Sequence, residues 1–232
     1  MSPSDFRTAL AAAPIGAILV SYGDGPRPKG LAGLALKIAY NGIRRHQRAL
    51  FKNSDKTDGV HIQIKVSAPP AVVGLQTRNG EDVGRWVSAT VPTVEQTSDP
   101  APRSFARKYR IYRYTKDLPP EAQQELVDYA CSMVGKDYDT LQLIGIAAHE
   151  QKWIPKFLRK WLGFRLQKPG MLEVCSTLAI KALLEAWARL ILDDGLSEAP
   201  MPLEDINRDS FDVCPADFEH SVTMKLLAEI NV

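Results

Sequence analysis

Apolar residues alternate in short runs through the first half of the chain and recur every three or four positions through most of the second. Pro3 to Ala12 suits a short helix capped by Ser2 or Ser4. Ile15 to Val20 is an apolar run closed by Tyr22-Gly23-Asp24-Gly25, the pattern of a buried strand and its turn. From Leu31 to Phe51 the residues Leu31, Leu34, Ala35 and Ile38 keep helical spacing, with Asn41-Gly42 a point where the helix can kink. Three strands are predicted next, Val60 to Ala68, Ala71 to Arg78 and Val83 to Val91, joined by turns at Pro69-Pro70 and Asn79-Gly80. They form an antiparallel meander. Thr93 to Pro102 reads as a polar, proline-bearing loop, and Lys108 to Tyr114 alternates as one more strand.

The period then turns helical, over Glu121 to Val134, Leu141 to Glu150, Lys152 to Leu162 and Cys175 to Leu192. Strands first and helices later predict an α+β fold. With 232 residues and no internal repeat, a single domain is expected. In Met171 to Leu192 the only charges after Glu173 are Lys181, Glu185 and Arg189, four apart, so this helix carries one narrow polar stripe and packs against the meander.

Composition removes several classes. A 45% hydrophobic, 24% charged chain is neither disordered nor collagenous. No run approaches the roughly 18 uninterrupted apolar residues of a membrane span. Three cysteines cannot close a disulfide framework, and their spacing lacks the paired cysteines of a zinc site; no metal or cofactor is expected. Thr8 to Val20 resembles the apolar part of a secretory signal, but Asp5 and Pro14 argue against one. The chain is therefore expected in the cytoplasm as synthesised, or exported whole to the cell envelope by a route the sequence does not reveal.

The net charge of +2 hides segregation. Pro26 to Ser54, Arg103 to Lys116 and Lys152 to Lys168 are basic blocks without an acid, while Asp193 to Glu219 holds nine acids against Arg208 alone. Such blocks steer anionic partners, or balance one another within a fold. In Lys152 to Lys168 the aromatics Trp153, Phe157, Trp161 and Phe164 share one helical face among the cations. That suits an anionic membrane surface, or a core face whose basic stems reach outward. No nucleic-acid motif is present.

The candidate chemistry centres on Cys175. It stands in the first turn of its helix, after Pro169-Gly170, where helix-end N–H groups and positive potential favour a thiolate and a developing oxyanion. A cysteine there is also a common small core residue. His61 opens a strand in which Ile62, Ile64 and Val66 take one face and His61, Gln63 and Lys65 the other. As a general base it can take the thiol proton if the fold brings it to the cysteine helix.

Five segments in order extend this reading: Pro14-Ile15-Gly16-Ala17-Ile18-Leu19, Val60-His61-Ile62-Gln63-Ile64, Val134-Gly135-Lys136-Asp137-Tyr138-Asp139, Val174-Cys175-Ser176-Thr177-Leu178 and Cys214-Pro215-Ala216-Asp217-Phe218. Together they resemble the circularly permuted NlpC-type branch of the papain-like cysteine hydrolases, which includes YiiX-like bacterial proteins and relatives of lecithin retinol acyltransferase. The resemblance covers roughly Pro14 to Ser221. It departs from the family at Gly16-Ala17, where Gly-Asp is usual, and at Gln63, where a glycine would leave space.

The resemblance implies a permuted papain-like fold, an antiparallel meander or barrel packed on a central cysteine-bearing helix. It implies catalysis by Cys175 and His61 through a thioacyl intermediate. The third site residue is a polar side chain on the strand after the histidine; Gln76 is the first choice, with Ser88 and Thr90 if the strands pair in another register, the remaining alternative being a Cys175–His61 dyad. Tyr138 and Gln63 are candidate substrate contacts, while Cys131 and Cys214 read as structural. The expected substrate is an amide bond in a peptidoglycan peptide. The alternatives are a lipid-directed acylhydrolase or acyltransferase, using Lys152 to Lys168 at the lipid surface, and a binding module without turnover.

Overall fold

The computed structural model describes residues 3–23, 31–52, 54, 56, 58–67, 84–89, 93–97, 106–137, 175–194, 199–206 and 213–231. In chain order its elements are α1 (Pro3–Ala12), β1 (Ile18–Gly23), α2 (Leu31–Leu50), β2 (Gly59–Lys65), β3 (Trp86–Ala89), β4 (Val94–Thr97), β5 (Ala106–Tyr114), α3 (Pro120–Ser132), α4 (Cys175–Asp194), a short 3-10 turn (Glu204–Ile206), α5 (Pro215–His220) and β6 (Met224–Asn231). The α+β class is as expected.

The six strands form one antiparallel sheet in the order β4-β3-β2-β1-β5-β6. Among the described residues, neither a barrel nor a simple meander describes it. The chain steps back from β4 at one edge to pair β5 with β1, and β6 then adds beyond β5, so among the described residues the sheet is open with β4 and β6 at its edges.

Side-chain alternation divides the core into two layers. On one face Ile18, Val20, Ile62, Ile64, Val87 and Ala89 belong to an apolar cluster with Leu126 and Ala130 of α3 and Leu178, Ala182 and Leu183 of α4. On the other face Ala17, Leu19, Trp86, Tyr109, Ile111 and Ile230 pack with Phe6 and Leu10 of α1. The polar stripe of α4 holds: residues from Cys175 to Ile180 are buried, and Glu185 is exposed.

Two glycines permit close approach. Gly16 has a φ of 82°, in the left-handed region, and a Cβ there would lie 3.0 Å from Leu126 Cδ1. At Gly59 a Cβ would meet Val20 Cγ1 at 2.8 Å, Glu219 Oε1 at 3.2 Å and Pro215 Cβ at 3.4 Å. The missing side chain lets α5 close onto the start of β2.

On the α1 face, Lys65 is fully buried. Its ammonium donates to the carbonyls of Leu10 at 2.6 Å, Ala11 at 2.9 Å and Ala13 at 2.7 Å. These are carbonyls at the C-terminal end of α1, which lack partners within their own helix. One lysine thus satisfies the helix end and ties α1 to the sheet.

Several elements differ from the sequence expectations. The first strand begins at Ile18 rather than Ile15, because Pro14 to Ala17 makes a turn in which Ala17 N–H donates to Pro14 O. The expected polar loop from Thr93 contains β4, whose Val94 is buried while Glu95 and Gln96 face outward, as suits an edge strand. Asn41-Gly42 does not interrupt α2. The C-terminal strand β6 was not expected, since its exposed Leu226 and Leu227 break a clean alternation. Strand Ala71 to Arg78 and helices Leu141 to Glu150 and Lys152 to Leu162 lie outside the described residues.

Candidate active site

His61 is the third residue of β2, an inner strand, and is buried. Its Nε2 lies 2.6 Å from Ser88 Oγ on β3. The register explains the contact: Ile64 pairs with Val87 and Lys65 with Trp86, so the antiparallel ladder sets Ser88 beside Gln63 and diagonal to His61 on one face. Ser88 Oγ also lies 3.4 Å from Ile62 O, to which it can donate while accepting from Nε2–H. In that arrangement Nδ1 carries the lone pair and is the nitrogen able to accept a proton.

Cys175 opens α4 and is buried, as expected. Its neighbour Ser176 donates from Oγ to Val213 O at 2.5 Å, which anchors the first turn of the helix to the segment entering α5. Cys175 belongs to the apolar cluster that contains Ile62 and Ile64, whereas His61 shares the opposite face of β2 with Gln63 and Lys65. Position along the strand therefore matters. At the N-terminal end of β2, two residues before His61, Gly59 lies against Pro215 and Glu219 of α5, the helix entered by the segment that anchors Ser176.

Gln63 is buried on the His61 side, and its Oε1 has no hydrogen-bond partner among the described residues. Ser21, opposite His61 on β1, likewise leaves its Oγ without one among them. Gln76, Thr90, Tyr138 and the block Lys152 to Lys168 lie outside the described residues. Asp137, just before Tyr138, bridges to Thr93 at the start of β4, and Val94 N–H donates to Lys136 O at 2.8 Å. The Gly135-Lys136-Asp137 turn is thus pinned to the strand beside β3.

None of the three cysteines is in a disulfide. Burial and the nearby Asp128 push the Cys131 thiol up, only partly offset by Arg85, so it stays protonated beyond the ordinary range. Cys214 precedes α5, where its N–H donates to Asp217 Oδ2 at 2.7 Å, a structural turn.

A second polar group went unread in the sequence. Glu219 Oε2 accepts from Tyr22 Oη, from Tyr112 Oη at 2.8 Å and from Arg110 at 3.0 Å; Arg110 also donates to Glu229 at 2.5 Å. One basic block and the acidic tail are thereby paired inside the fold. Burial pushes the Glu219 carboxyl up despite these donors, and pushes both phenols up beside it. The alternation of Lys108 to Tyr114 was visible, but nothing local linked it to a carboxylate more than a hundred residues away.

Among the described residues no His, Cys, Asp and Glu cluster could hold a metal, and no helix is long and apolar enough to cross a membrane. Comparison with protein-family models, curated proteins and solved structures returns no match.

Proposed function

We propose that the protein is a cysteine hydrolase in which Cys175 is the nucleophile, His61 the base and Ser88 the residue that orients the imidazole. The observation that carries this reading is the 2.6 Å contact between Ser88 Oγ and His61 Nε2, on the strand paired with the histidine strand. The resemblance implies a polar third member on a strand beside the histidine, and the position of Ser88 supports that role for it; Gln76 lies outside the described residues.

In this reading the thiol proton passes to His61 Nδ1 and the thiolate attacks the substrate carbonyl carbon. The oxyanion forms at the N-terminus of α4, where the Cys175 N–H stabilises it. The imidazolium returns its proton to the leaving amine as the C–N bond breaks, leaving a thioacyl enzyme. Water, deprotonated by Nδ1, then releases the acid and restores the thiol. No cofactor enters the cycle.

The resemblance favours an amide in a peptidoglycan peptide as substrate, with acyl lipid as the rival. The test is product release from purified sacculi and from anionic phospholipid vesicles by the parent, Cys175→Ala and His61→Ala. Peptide fragments released only by the parent support the reading. Fatty acid release that depends on the same two residues moves the substrate to lipid, and turnover that survives both substitutions removes the site.

A further inference from the structure

Hydrogen bonds from the cysteine helix and, through Gln47, from the histidine strand converge on the segment Val213 to Ala216. Gln47 is fully buried on α2, three residues from the helix end. Its Nε2 donates to Gly59 O at 2.9 Å, two residues before His61, and its Oε1 accepts from Ala216 N–H at 2.8 Å in the first turn of α5. The same segment offers Val213 O to Ser176 Oγ, beside Cys175.

Two neighbours on the same helix reinforce the attachment. Arg44 donates to Gly23 O at the end of β1, and Arg48 pairs with Asp58 at 2.7 Å just before β2. Arg44, Gln47 and Arg48 fall at helical spacing, so one face of α2 grips the adjoining ends of both strands. Gln47 also reaches α5, through Ala216 N–H. A glutamine suits the task because it offers a donor and an acceptor from one rigid amide, without the desolvation cost of a charge.

We propose that Gln47 is a positioning residue: it sets the start of β2, and with it His61, against the Val213-to-Ala216 segment that anchors the helix of Cys175. This rests on the cysteine hydrolase reading. It predicts that losing the amide shifts the imidazole relative to the thiol while leaving the remainder of the sheet in place.

The test is carbamidomethylation of Cys175 against pH, followed peptide by peptide, in the parent, His61→Ala, Gln47→Leu and Gln47→Glu, with Cys131 as internal reference. Gln47→Glu preserves the volume and the acceptor for Ala216 but loses the donor to Gly59, so it serves if the leucine variant fails to fold. Hydrogen exchange over residues 59–63 is read in parallel. Expected is a His61-dependent reactivity of Cys175 at mildly acid pH that falls on the order of tenfold in the Gln47 variants, with faster exchange at the start of β2 and an unchanged Cys131 rate. If the parent depends on His61 and the folded Gln47 variants match it, the positioning claim alone is wrong. If Cys175 in the parent ignores His61, the hydrolase reading fails and the positioning claim with it.

Discussion

Ser88 and His61 meet through a 2.6 Å hydrogen bond between adjacent inner strands, both side chains buried. Such a bond fixes the ring's orientation and, with Ser88 also able to donate to Ile62 O, favours the tautomer with its proton on Nε2. Ser88→Ala should therefore lower kcat/KM about tenfold or more, the loss of one hydrogen bond to a group that becomes charged. The pH profile should broaden as the tautomer is released. Steady-state kinetics on the substrate identified with sacculi or vesicles checks this, and a Ser88→Ala enzyme with the parent's profile would contradict it.

How much of this was legible in the sequence depended on whether the signal was local. The division of β2 into an Ile62 and Ile64 face and a His61, Gln63 and Lys65 face follows from alternation, as does the single polar stripe of α4. Whether Ser88 stands beside His61 is a question of strand register, set by pairing across a long connection rather than by composition. The edge strands β4 and β6 escaped because an edge buries only part of one face and tolerates charge. Gln47 left no trace, since one of its partners lies 169 residues along the chain.

Lys65 gives a stability prediction. Replacing it with methionine keeps the apolar stem but abandons the carbonyls of Leu10, Ala11 and Ala13 at a buried helix end. The expected loss is about 3 kcal/mol, read as a lowered denaturant midpoint with α1 the first element to gain hydrogen exchange. A loss under about 1 kcal/mol would mean the helix end finds other donors.

Gly59→Ala tests the closeness of β2 and α5. The added methyl would stand 2.8 Å from Val20 Cγ1 and 3.2 Å from Glu219 Oε1, so one of three buried elements must shift. The cost expected is about 1–3 kcal/mol, measured by chemical denaturation, with Cys175 alkylation slowed as the start of β2 moves.

The Glu219 group predicts a pH dependence of stability. Burial raises its carboxyl above the unfolded value despite Tyr22, Arg110 and Tyr112. A raised acid binds more protons when folded, so its contribution is fully present below the unfolded pKa, about 4.3, and is lost as pH rises through the folded value. Glu219→Gln should consequently gain ground on the parent between acid and neutral pH in denaturation midpoints; a difference that moves the other way would show the carboxylate to be favoured by its donors. Tyr114, pushed up to about 12 by burial and Glu204, should ionise late in the phenolate absorbance of the folded protein.

The pairing of Cys175 with His61 is tested most directly by nuclear magnetic resonance titration of the His61 imidazole in the parent and in Cys175→Ser, with the signal assigned by its loss in His61→Gln. A thiolate beside the ring favours the imidazolium, so the two groups titrate as a coupled pair. The parent should hold the His61 proton to higher pH than Cys175→Ser does. Superimposable His61 titrations in the two proteins would contradict the account.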